Sequence, residues 1–95
     1  MPKKVNRLAN ELLKLGLHGE LGLAELAELV EISTTHAGRD VVALESIGMV
    51  TLRTEDDARG RNPGRPRLLV SLSDDGTKAV KQIGGGFVPL KLAVL

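Results

Sequence analysis

Four arginines, Arg59, Arg61, Arg65 and Arg67, stand within nine residues that contain no acid. Gly60, Asn62, Pro63, Gly64 and Pro66 separate them. Such a segment can run its backbone close to a polyanion while the side chains fan out. A guanidinium fork matches phosphate oxygens, and an arginine in a narrow minor groove favours A·T-rich duplex by groove width. A second set of polar residues precedes it: Ser33, Thr34, Thr35, His36, Arg39 and Asp40. Threonine can hydrogen-bond a base or a phosphate and offer a methyl to thymine. Arg39 can fork onto guanine, and Asp40 can accept from cytosine. Equally, Asp40 can pair with a neighbouring arginine, and the whole stretch can be a solvated face. His36 reads as a DNA contact or a plain surface histidine.

These residues need elements to hold them. Val5, Leu8, Leu12 and Leu15 recur at helical spacing, which predicts a first helix from about residue 2 or 3 to Leu15, stopped by Gly16 and Gly19. Gly22 is a candidate N-cap for a second helix with Leu23, Leu26, Ala27 and Val30 inward and Glu25 in its first turn. A turn is expected near Glu31. Ser33 then caps a third helix that points Ala37, Val41, Leu44 and Ile47 inward and ends at Gly48. From Met49 the apolar period changes to two. Val50 and Leu52, then Leu68, Val70 and Leu72, predict a hairpin whose long loop, from Glu55 to Arg65, holds three of the four arginines. A short extended piece around Glu20–Leu21 could add a third strand. Ser73 caps a last helix to about Ile83, and Gly84-Gly85-Gly86 breaks it.

The chain of 95 residues is long enough for one domain with a modest core, and with Phe87 as its sole aromatic that core must be aliphatic. Net charge is only +1, but residues 1–52 carry −2 and residues 53–95 carry +3, so the positive charge is local to the arginine-rich tip. There are no cysteines, which excludes disulfides and thiolate metal sites. His18 and His36 lack ligand spacing around them, so no metal and no cofactor is expected. No run of eighteen apolar residues predicts a membrane span, and Asn6, Arg7, Asn10 and Glu11 interrupt any leader after Met1. No nucleophile–base pair is readable, and the triple glycine lacks the Lys-Ser/Thr of a phosphate loop, so an enzyme is not expected.

Three segments, in order, resemble the winged helix-turn-helix regulators of the MarR, ArsR and PadR kind. Leu23-Ala24-Glu25-Leu26-Ala27 resembles the start of the motif's first helix. Ile32-Ser33 through Leu44-Glu45-Ser46-Ile47-Gly48-Met49-Val50 resembles the recognition helix and its exit into the wing. Gly64-Arg65-Pro66-Arg67 through Leu72-Ser73-Asp74-Asp75-Gly76 resembles the returning wing strand and the following helix. Gly64-Arg65-Pro66 is also similar to the core of an AT-hook. The chain departs from the pattern at Glu31, where the family turn often has glycine.

The resemblance implies an α+β fold: a three-helix core, a β-hairpin wing and a C-terminal helix. Residues 1–83 would form the DNA-binding domain and residues 84–95 an apolar tail. That tail either folds onto its own domain or packs across a twofold axis with the first helix, and the homodimer is the favoured expectation. The expected function is transcription regulation in the cytoplasm, at the nucleoid. Ser33, Thr34, Thr35, His36, Arg39 and Asp40 would face the major groove of double-stranded DNA, and Arg59, Arg61, Asn62, Arg65 and Arg67 the backbone or minor groove. A DNA-coating or segregation-type protein with low sequence preference, and a protein–protein module, are the alternatives.

Overall fold

The computed structural model describes residues 3–55 and 67–93. Helix α1 (Lys3–His18) is followed by strand β1 (Leu21–Gly22), helices α2 (Leu23–Leu29) and α3 (Thr34–Ser46), strands β2 (Val50–Glu55) and β3 (Arg67–Leu72), and helices α4 (Asp74–Gly84) and α5 (Leu90–Ala93). This is the expected three-helix core, hairpin and C-terminal helix. The three strands form an antiparallel sheet in the order β1-β3-β2. Leu21, Val70 and Leu52 lie side by side across it on the core face. The third strand is Leu21–Gly22, one residue later than expected.

The core joins Leu8, Leu12 and Leu15 of α1 to Leu26, Val41 and Leu44 of the helix pair and to Val50 and Val70 of the sheet. Leu69 is also buried, on the opposite sheet face, level with Gly22 and Arg53. Ion-paired arginines share that face and cover it, which strict alternation did not predict. Helix α1 also corrects an expectation, because it runs through Gly16 to His18. A Cβ on Gly16 would stand 3.1 Å from Val80 Cγ1, so this glycine lets α4 approach α1 closely and does not end the helix.

Three helices end in the same way. In α3, the Gly48 N–H donates to Glu45 and the Met49 N–H to Leu44; in α4, Gly86 and Phe87 donate to Ile83 and Gln82. In α2, Glu31 and Ile32 donate to Glu28 and Ala27. This pairing requires a left-handed residue just past the helix. Gly48 (φ 79°) and Gly86 (φ 90°) supply it without strain, whereas Glu31 must adopt φ 58° with a side chain. Left-handed backbone costs an L-residue roughly 1–2 kcal/mol, and glycine's freedom when unfolded returns about half of that. Glu31→Gly is therefore expected to raise stability by about 0.5–1 kcal/mol in urea unfolding. A loss of stability would show that the Glu31 side chain offsets its own backbone strain.

The tail turns back on its own domain. Leu92 is fully buried in the core cluster and Pro89 is buried, which is the intramolecular of the two expected placements. Phe87 and Leu90 stay 71% and 86% exposed, as does Leu17 of α1 at 75%. No helix among the described residues is long and apolar enough to cross a membrane.

Candidate nucleic-acid interface

Helix α3 begins on Ser33, whose Oγ accepts from the His36 backbone N–H at 3.1 Å and lies 2.7 Å from His36 Nδ1. The cap fixes the first turn and draws the His36 ring back toward it. Ala37, Val41 and Leu44 point into the core. At 100° per residue, Thr35, Arg39, Val42 and Ser46 then form the opposite, outward stripe. Thr34, Thr35, His36 and Arg39 are all exposed, and Arg39 makes no ion pair among the described residues. A stripe of hydroxyl, guanidinium and methyl groups on one helix face suits base edges in a major groove. Val42, 58% exposed, was not singled out by sequence reasoning, although its place three residues after Arg39 was the available signal.

Asp40 does not join that stripe. Its side chain is 5% exposed, and both oxygens accept from Arg7: Nε to Oδ2 at 2.7 Å and Nη2 to Oδ1 at 2.9 Å. The candidate base contact is thus corrected to a tie between α3 and α1, since no donor from solvent or DNA can displace a buried two-point pair cheaply. The bond to Asp40 raises the Arg7 pKa, against the opposing effect of burial.

The wing rises beside this helix as β2 and β3. Arg59, Arg61, Asn62 and Arg65 lie outside the described residues. Arg67, at the start of β3, is exposed and ion-paired with Glu25 of α2. Arg53 of β2 bonds Glu20 through Nε at 2.7 Å and Nη2 at 2.6 Å, which holds the Glu20 carboxylate below its ordinary range. These pairs anchor the wing base to Glu20, just before β1, and to Glu25 in the first turn of α2. The Glu25 carboxylate also accepts from the Gly22 N–H at 3.3 Å, so one side chain caps α2 and holds the wing. The Arg67–Glu25 pair is half exposed and worth no more than about 1 kcal/mol, so a phosphate can compete for Arg67. Glu25, Glu28 and Glu31 are exposed on or just after α2, a locally acidic face that would repel a phosphate backbone.

Among the described residues no cluster of three or more His, Asp or Glu could hold a metal ion.

No family model matches the chain, and no curated protein matches it in sequence. Solved structures do. A MarR family transcriptional regulator from Silicibacter pomeroyi is 27% identical with a TM-score of 0.64, over 88% of this chain and 50% of that one. A transcriptional regulator homologue from Pyrococcus horikoshii is 18% identical with a TM-score of 0.69, over 94% of this chain and 79% of that one. Bacillus subtilis PadR in complex with operator DNA is 16% identical with a TM-score of 0.66, over 85% of this chain and 49% of that one. The chain spans about half the length of the first solved structures it matches, 50%, 54% and 52% of three of them.

Proposed function

We propose that this chain, which has the winged helix-turn-helix fold of MarR- and PadR-type regulators, is a DNA-binding transcription regulator. Helix α3 enters the major groove and reads bases with Thr35, Arg39 and Val42. Ser33, Thr34 and His36, at its N-terminal turn, meet bases or the flanking phosphate. Arg59, Arg61, Asn62, Arg65 and Arg67 of the wing hold the backbone or the adjacent minor groove. The observation that carries this reading is the outward stripe of α3, exposed opposite a packed face, beside a hairpin that leads to the densest run of cations in the chain.

The protein works as a homodimer at the nucleoid. The exposed Leu17, Phe87 and Leu90, on the first helix and the tail, supply apolar surface for a partner copy. A twofold pair would set the two recognition helices about 34 Å apart, one turn of duplex. A DNA coat with low sequence preference is the second reading, favoured by the near-neutral recognition helix and the charge held in the wing.

Two substitutions test the division of labour. Arg65→Ala is expected to weaken binding to every duplex alike and to lower the salt slope by roughly one phosphate contact. Arg39→Ala is expected to change the preferred base at one position, with a difference of about 1–3 kcal/mol, and to leave the rest of the site intact. Both are measured by fluorescence anisotropy over a salt series, with single-base variants of the site. Uniform loss for Arg39→Ala would make it a positioning contact and favour the coat.

A further inference from the structure

Glu11 sits in the middle of α1 and is fully buried, with neither carboxyl oxygen hydrogen-bonded among the described residues. A buried carboxyl needs a counter-ion or a proton. The cation that acts on it, Arg7, lies one turn earlier on the same helix, but its Nε and Nη2 are both committed to Asp40. Glu11 is left beside the Asp40 carboxylate, and two carboxylates have no donor between them. A proton on Glu11 supplies one and turns the contact into a hydrogen bond.

We propose that Glu11 carries that proton and, with Asp40 and Arg7, forms a proton-dependent joint between α1 and α3, which makes Glu11 a positioning residue for the recognition helix. Burial, then the hydrogen bond that a protonated Glu11 can donate to Asp40 and the Asp40 charge, push the Glu11 pKa up to about 9, with Arg7 opposing. The other elements packed on α1 bring Leu26, Val70, Ala79 and Leu92 to the same core. The charged groups acting on Glu11 are therefore Asp40 from α3 and Arg7 from its own helix.

The direction of the pH dependence follows. In the unfolded chain this carboxyl titrates near 4.5, and in the folded one near 9. Between those values the unfolded state releases a proton that the folded state keeps. Folding is thus favoured most below the lower value, and its equilibrium constant falls about tenfold per pH unit until the upper one. Above about 9 the fall stops, but the joint then holds two carboxylates on one guanidinium.

The test compares the full chain with Glu11→Gln, which keeps the shape and the donor to Asp40 but cannot ionise. The Glu11 carboxyl carbon is followed by NMR from pH 4 to 10, together with the amide signals of Thr35 and Arg39, and urea unfolding is measured over the same range. A Glu11 midpoint near 9 is expected. The Thr35 and Arg39 signals should move with that midpoint in the wild type and stay still in the variant. The variant's gain in folding constant should widen about tenfold per pH unit between about 5 and 9. An ordinary carboxylate midpoint, equal pH slopes, or α3 signals that ignore the Glu11 midpoint would each overturn the proposal. These readouts need no DNA. A separate titration of duplex from pH 7 to 9.5 rests on the regulator reading: affinity should fall through the midpoint in the wild type alone. Absence of duplex binding at every pH would count against that reading and leave the joint to be judged by its own signals.

Discussion

Gly76→Ala is expected to cost about 4 kcal/mol or more of folding stability. Gly76 is buried in the first turn of α4, and a Cβ there would stand 1.9 Å from the Met49 carbonyl oxygen. That oxygen is backbone, and it already accepts from the Ser73 N–H at 3.1 Å, so it cannot swing away. In an open helix the same change would help by about 1 kcal/mol, because alanine is the better helix former. Here the overlap wins, since relief requires α4 to lift off the turn that joins α3 to the wing. Urea unfolding measures the loss directly. A variant within 1 kcal/mol of wild type would show that this junction is loose and that α4 does not brace the wing.

Asp40→Ala should cost about 2–3 kcal/mol and leave the preferred DNA sequence unchanged. Breaking a fully buried ion pair costs about 3–5 kcal/mol because one charge is stranded. The Arg7 side chain is 33% exposed, so water recovers part of its solvation and the loss is smaller. Glu11 lowers the loss further, because without Asp40 it can ionise against Arg7. Thermal or urea unfolding gives the stability, and binding to single-base variants of the site gives the preference. Undiminished stability with a changed base preference would return Asp40 to the interface.

Asp40 also shows where the sequence was legible and where it was not. Spacing alone located α3, its Ser33 cap and its core side, because those depend on residues three and four apart. It could not assign Asp40, which sits at the edge of the inward face and depends on Arg7, thirty-three residues away. Glu11 was hidden for the same reason: a lone acid on a helix reads as solvated until its neighbours are known. Gly16 misled because a glycine placed for close packing and one that ends a helix look alike in sequence. Glu31 was readable as a turn because Ser33 needed a capping conformation, and its positive φ fits the glycine it replaces in the related pattern. The hairpin was legible from its period. The placement of Leu92 in the core was not, since apolar composition gives a tail no preference between its own domain and a partner.

In the proposed mode of binding, α3 selects and the wing attracts. That mode is tested most directly by enriching bound sites from a random duplex pool and titrating the winner and a scrambled duplex over about 50–200 mM salt. The predicted result is a defined site, bound roughly a thousandfold or more tighter than the scrambled duplex, with both affinities falling steeply as salt rises. Equal affinity for the two duplexes would contradict selection by α3, and no binding at the lowest salt would contradict DNA as the partner.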